Sequence, residues 1–295
     1  MSPLGLTTSQ LTSAHLVAHD DAVALVREAV RLGVDVIDTA PLYGLGEAEY
    51  IVGKALEPLA DRIFLMGKIG RFEKSIVSGH GTACYRSPAL ISAQFEHSLR
   101  LLRRDRLDLL LLHESDWPEW WEPGAEVRGP VLDLLDRLRE QGRIGGTGMF
   151  PSDPSQAPRL CGSGRFDALL FRKDMHVVRQ APLAVSLESA RSQNMGVAVA
   201  ASLSPSDAGR APHGEAVQAV AREAGLSLPE LGVRWLLSQE DVHTVLVGPR
   251  DRKELERAVA WAAEPPLEPA LLRALADASG VRQRNPWNPE IDGAD

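Results

Sequence analysis

Short, unbroken apolar runs recur along this chain, each followed by a longer amphipathic stretch: VDVID, IFLMGK, LDLLLLH, GVAVAA and HTVLV are among them. A strand that is apolar on both of its alternating faces has no side to show to water and must be covered above and below. Repeated strand-then-helix units meet that demand with a parallel sheet and helices outside it. Strands are expected near 34–38, 63–68, 107–112, 145–149, 167–171, 196–201 and 242–247, with an eighth in the N-terminal LGLTTSQL. Seven or eight such units suit a closed (β/α)8 TIM barrel. The chain then reads as one α/β domain over residues 1–295, with an irregular tail from about 282 that contains Trp287. The rival architecture is an open doubly wound sheet, but no GxGxxG follows the first strand. The glycines of GRIGGTG at 142–148 lack the Lys-Ser/Thr ending of a phosphate loop and read as a helix cap and a close-packed strand.

The intervening helices carry their own punctuation. DDAVALVREAVRLG offers Asp20 or Asp21 as a cap and Gly33 as a stop. SPALISAQFEHSLRLL opens with Ser87 as cap and Pro88 at the first helical position. VLDLLDRLREQG and LPELGVRWLLSQE repeat the spacing of one buried helix face.

Of the 295 residues, 44% are hydrophobic and 24% charged, enough to bury a large core. No stretch approaches the roughly 18 apolar residues of a membrane span, and the start MSPLGLTTSQL lacks signal-peptide character, so a cytoplasmic location is expected. Cys84 and Cys161 match no metal spacing and make no disulfide framework. The formal net charge of −8 disfavours nucleic acid and anionic membrane as partners and leaves a small-molecule substrate. Against that background a local cluster of cations carries information.

Three apolar strands end in polar residues: VDVID in Asp38, IFLMGK in Lys68 and LDLLLLH in His113. Alternation points each the same way as the apolar residue two before it, Val36, Met66 and Leu111. In a β/α barrel all three stand at the carboxyl-terminal rim, where active sites are built, and Tyr43 leans over the same mouth from the loop after Asp38. A free tyrosine, with a pKa near ~10, is a poor acid at neutral pH, and an adjacent ammonium lowers it. Lys68 can supply that charge, Asp38 can keep Lys68 protonated, and His113 can orient a carbonyl. Taken singly, the same residues also read as a structural ion pair, a core histidine and a loop aromatic.

The segment DTAPLYGLGEAEYIVGKAL, with Glu49, Gly53 and Leu56 in place, resembles the Asp-x-x-x-x-Tyr-Gly segment of the aldo-keto reductase family. FLMGKIG is similar to that family's lysine strand and RLDLLLLHES to its histidine strand. The resemblance implies a β/α barrel that reduces carbonyls with NADPH, or oxidises the matching alcohol with NADP, and gives the catalytic roles to Asp38, Tyr43, Lys68 and His113. VHTVLVGPRDRKELERAVA looks like the segment that binds the adenosine 2′-phosphate, which assigns Gly248, Arg250, Arg252 and Lys253 to the cofactor. A cation cluster at the start of a helix suits a phosphate.

Four positions that hold the nicotinamide in that family depart from its pattern. GMFPSD places Phe150 and Pro151 where a Ser and an Asn grip the carboxamide; Leu170 replaces a Gln, and Ala200 the aromatic on which the ring stacks. On the adenosine side, Glu254 stands for a Gln and Ala258 for an Asn. The loop SDWPEWWEPG brings Trp117, Trp120 and Trp121 near the mouth, either as walls of a substrate pocket or as a self-packed loop. The expected activity is NADPH-dependent carbonyl reduction with Tyr43 as acid. The alternatives are a barrel enzyme using the same tetrad for elimination or isomerisation without nicotinamide, and a non-catalytic binding protein on this fold.

Overall fold

The computed structural model describes residues 2–15, 17–57, 63–72, 79, 81–123, 127–172, 177, 180–202 and 213–280. The expected irregular tail and Trp287 lie outside the described residues. Eight strands, β1 (Leu4–Thr7), β2 (Val36–Asp38), β3 (Phe64–Ile69), β4 (Leu107–His113), β5 (Ile144–Phe150), β6 (Ala168–Phe171), β7 (Gly196–Ala201) and β8 (Thr244–Val247), pair in chain order. Every pairing is parallel, and β8 returns to β1 through Leu4↔Val245 and Leu6↔Val247, closing the barrel. Closure removes the open-sheet alternative, and LGLT is the strand that makes it.

Helices cover the outside: α1 (His19–Arg31), α2 (Glu47–Leu56), α3 (Pro88–Leu102), α4 (Pro130–Glu140), α5 (Ala157–Cys161), α6 (Ala181–Ser192), α7 (Gly214–Glu223), α8 (Leu228–Leu237), α9 (Arg252–Ala263) and α10 (Pro269–Ala278). Ser87 caps α3 by accepting from Leu90 N, with Pro88 next. For α1 the expected aspartate cap is corrected. The helix starts at His19 with Ala18 at the cap position, and Asp20 and Asp21 lie in the first turn, where their charge faces the positive helix end. Two strands are shorter than their apolar runs. Gly33 turns with φ +95 and Val34 N bonds back to Ala29 O, while Val242 N bonds to Gln239 O, so both valines close the preceding helix-end turns instead of joining the sheet.

Alternation divides the strand residues between two apolar clusters. Val36, Met66, Leu109, Leu111, Leu170, Ala198 and Leu246 fill the lumen, whereas Ile37, Leu65, Leu110, Leu112, Val199 and Val245 meet the helices. Asp38, Lys68 and His113 continue the lumen rows of β2, β3 and β4, which carries them to the top of the barrel. Among the described residues no helix is long and apolar enough to cross a membrane.

Helix α2, which follows the Tyr43 loop, sits hard against α3: a Cβ on Gly53 would stand 2.2 Å from Leu101 O. The same helix buries Glu49 completely, and burial pushes its carboxyl up to about 7, with Ser98 and Lys68 pulling back only part of the shift. The folded pKa lies above the unfolded value, so the protonated form favours the fold. That contribution is intact below about pH 4.5 and is lost as pH rises toward 7, up to about 3 kcal/mol. Glu49→Gln should therefore gain stability over the parent at pH 8 but not at pH 4.5. Urea denaturation at the two pH values measures this, and an identical difference at both would contradict the assignment.

Candidate active site

Asp38 is the last residue of β2, His113 the last of β4, and Lys68 the last but one of β3; all three are buried. Lys68 Nζ donates to Asp38 Oδ1 and, at 3.0 Å, to Thr39 O. The other carboxylate oxygen of Asp38 accepts from Thr7 Oγ1 at 2.9 Å, and Thr7 pairs in register with Asp38 across β1 and β2. The pair is thus hydrogen-bonded on both sides, which a buried ion pair needs to offset desolvation. Tyr43 reaches the cluster from the loop above: Lys68 Nζ lies 4.9 Å from its ring centroid, and the phenol interacts with Lys68 and Thr7. Its ring meets that of His113 edge-on at 6.5 Å between centroids. The structure brings all four groups together.

Electrostatics sort these groups into states. Burial alone pulls Lys68 down, but the Asp38 charge and the hydrogen bonds to Asp38 and Tyr43 hold the amine above its ordinary value. Tyr43 is pushed up, first by burial and then by Asp38, while Lys68 pulls it part of the way back. The expected net lowering of Tyr43 does not occur in this state, and the group is a neutral phenol that can donate its proton. His113 falls well below its ordinary range because it is buried and because Lys68, Arg71 and Arg172 are positive, so it is a neutral imidazole at pH 7.

These residues open into a cleft of about 500 Å³ that runs from Asp38, Tyr43 and His113 to Gly248, Arg250 and Glu254. Phe150, Leu170 and Ala200 line its middle, and the Phe150 ring lies 5.2 Å from the His113 ring and 5.6 Å from Lys68 Nζ. Gly248 packs with its Cα side close to Thr7 and Gln10, where a side chain would narrow the passage. Of the expected phosphate clamp, only Gly248 and Arg250 line the cleft. Arg252 is held by Glu28 and Glu256 at 2.8 and 2.7 Å, and Lys253 is exposed, because α9 turns both away as it starts. Arg250 itself is gripped by Glu254, which accepts from its backbone N at 2.9 Å and from Nη2 at 3.0 Å.

The tryptophan loop is also corrected. Trp120 and Trp121 are buried and do not line the cleft; their indole nitrogens donate to His113 O at 3.3 Å and Ser115 O at 3.2 Å. Tyr85 meets Trp117 and Trp120 edge-on at 5.8 and 5.3 Å, so the aromatic surfaces are used on one another. The loop braces the end of β4 and hence the His113 backbone. Thr7, Arg71, Glu114 and Arg172 line the cleft but were not singled out from sequence. Their signal was the one that found Asp38 and His113: a polar residue at, or just past, the end of an apolar strand.

Comparison with known proteins agrees with this fold. A family model described as Aldo/keto reductase family matches residues 3–278. L-galactose dehydrogenase of Arabidopsis thaliana is 26% identical over 291 residues, covering 90% of this chain and 85% of that protein. An NADH-specific methylglyoxal reductase of Escherichia coli is 29% identical over 151 residues, 49% of this chain and 45% of its own length. A Klebsiella pneumoniae aldo-keto reductase crystallised with NADPH superposes with a TM-score of 0.73 at 22% identity, covering 96% of this chain and 92% of that one.

Asp38→Asn removes the charge that keeps Lys68 protonated out of water. It should cost about 3 to 5 kcal/mol of stability at pH 7. Chemical denaturation of the two proteins tests this, and a difference below about 0.5 kcal/mol would mean that the pair is not the anchor described.

Proposed function

The chain belongs to the aldo-keto reductase family, and on that premise we propose that it is an NADPH-dependent oxidoreductase that reduces a carbonyl, or oxidises the matching alcohol, with Tyr43 as general acid or base. The observation that carries this reading is the convergence of Tyr43, Lys68, Asp38 and His113 at the head of a cleft large enough for a substrate beside a flat ring.

The residues present fit a nicotinamide dinucleotide, with a changed cradle. Phe150, Leu170 and Ala200 offer an apolar surface to a ring, and Arg250 with Gly248 stands at the far end, where a phosphate would be met. Carboxamide partners are not supplied by the side chains at 150, 151 and 170, so contact with the apolar surface would take a larger share in holding the ring. When bound, the cofactor supplies hydride to the carbonyl carbon. Tyr43 gives its phenolic proton to the carbonyl oxygen as charge develops there. Lys68 stabilises the tyrosinate left behind, Asp38 keeps Lys68 charged, and Thr7 fixes the second oxygen of Asp38. His113, uncharged, donates a hydrogen bond to the same carbonyl oxygen and orients it.

A second reading retains the tetrad for elimination or isomerisation without nicotinamide. It is favoured by the apolar residues Phe150, Pro151 and Leu170, where a carboxamide would otherwise find partners.

Tyr43→Phe tests the first reading, and the nicotinamide requirement separates it from the second. Reduction of an aldehyde panel should fall about 10²- to 10⁴-fold in kcat while the Kd for NADPH, read by fluorescence, stays within about threefold. Turnover by the parent protein with no nicotinamide present would establish the second reading in its place.

Glu254 places a carboxylate beside Arg250, where it opposes a 2′-phosphate. Glu254→Gln should tighten NADPH binding by about fivefold to tenfold and leave NADH nearly unaffected. An unchanged or weaker NADPH Kd would remove Glu254 from the cofactor site.

A further inference from the structure

A second charged cluster lines the head of the cleft and takes no part in the proton relay. Arg71 lies just past β3, Glu114 directly after β4 and Arg172 directly after β6, so three strand ends bring them to the wall shared with Tyr43 and His113. Arg71 Nη1 donates to Glu114 Oε2 at 2.7 Å, and the guanidinium carbon stands 5.3 Å from the Trp117 ring centroid. An ion pair and a stacked ring hold a side chain that would otherwise sample many rotamers. Glu114 is 8% exposed and adopts a left-handed backbone with φ +56, a strained conformation for a residue with a Cβ, of the kind retained where its surroundings over-determine it. That backbone directs the carboxylate to Arg71, immediately after His113.

Three cations, Lys68, Arg71 and Arg172, stand against two carboxylates, Asp38 and Glu114, at this end of the cleft. The charges that reach His113 come from Lys68, Arg71 and Arg172, in a protein of formal net charge −8. A cationic wall inside an acidic surface concentrates anions at one place. Arg71 spends one of a guanidinium's five N–H groups on Glu114, and guanidinium geometry matches carboxylate and phosphate oxygens.

We propose that Arg71, held in place by Glu114, and Arg172 form an anion subsite, and that the substrate is a carbonyl compound bearing a carboxylate or phosphate a few atoms from its carbonyl carbon. This rests on the reading of Tyr43 and His113 as the carbonyl site. The substrate anion lies between the two guanidiniums while its carbonyl oxygen meets Tyr43 and His113.

The test compares kcat/KM, at saturating NADPH, for succinic semialdehyde against butanal and for glyceraldehyde 3-phosphate against glyceraldehyde. The anionic member of at least one pair should be favoured about 10- to 100-fold, and the pair that responds distinguishes carboxylate from phosphate. Arg71→Gln and Arg172→Gln should each raise KM for that anion about tenfold and shrink the ratio, while Arg71→Lys retains most of it and shows that charge, not folding, is at issue. Neutral aldehydes used as well as anionic ones, or a preference that survives both Gln variants, would overturn the proposal. So would a matching loss of NADPH affinity, which would assign the arginines to the cofactor. Should no aldehyde be turned over, the carbonyl reading fails by itself and the subsite is judged by isothermal titration with succinate and inorganic phosphate. Binding lost in both Gln variants supports it, and absence of binding by the parent protein refutes it.

Discussion

Lys68 and Asp38 meet at the top of the barrel lumen with almost no access to water, and the chemistry of the site follows from that pair. A lone ammonium at this depth would shed its proton; the Asp38 carboxylate beside it, with Thr7 and Thr39 supplying further hydrogen bonds, holds Lys68 protonated. With Thr7 the network spans three strands, since Thr7 stands on β1, Asp38 on β2 and Lys68 on β3. It therefore exists only when these three neighbouring strands pair in the observed register. The fixed ammonium offsets part of the rise that burial imposes on Tyr43 and, with burial, keeps His113 uncharged.

The same device is repeated along the cleft. Asp38 with Lys68, Glu114 with Arg71 and Glu254 with Arg250 form three acid-base pairs, each a cation held by a carboxylate. Phe150, Leu170 and Ala200 separate the first two pairs from the third with an apolar stretch. Charged ends with an apolar middle suit a ligand that carries a flat ring between two polar or charged groups. The turn after Phe150 is kept in place by Asp116, which accepts from Ser152 and Asp153 backbone nitrogens at 2.6 and 3.0 Å. Phe150 is thus set over Lys68 and His113 by a fixed loop.

Much of this was legible before any coordinates. The unbroken runs demanded strands covered on both faces, and all eight strands lie within a few residues of where they were expected. Asp38, Lys68 and His113 could be found because a polar residue at the end of a buried strand violates the pattern around it. Thr7, Arg71, Glu114 and Arg172 carried weaker versions of that signal: each is polar and near a strand end, but a threonine or a solvent-facing arginine is unremarkable in one dimension. The tryptophan loop misled because aromatic content says that surface will be buried without saying against what. Tyr85 and Gly70 decided that: the ring of Trp120 occupies the space a Cβ on Gly70 would need.

The amino-acid order alone determined the class of fold, the direction of the strands and the identity of the four central polar residues, because burial and alternation are properties of a local pattern. Which charges pair was decided only by the closed barrel. Arg252 and Lys253 sit two and three residues beyond Arg250, yet helix α9 turns them to the outer surface, while Arg71 and Arg172, about a hundred positions apart in the chain, reach the same wall. Electrostatic interaction depends on distance through space, and only the folded chain sets that distance.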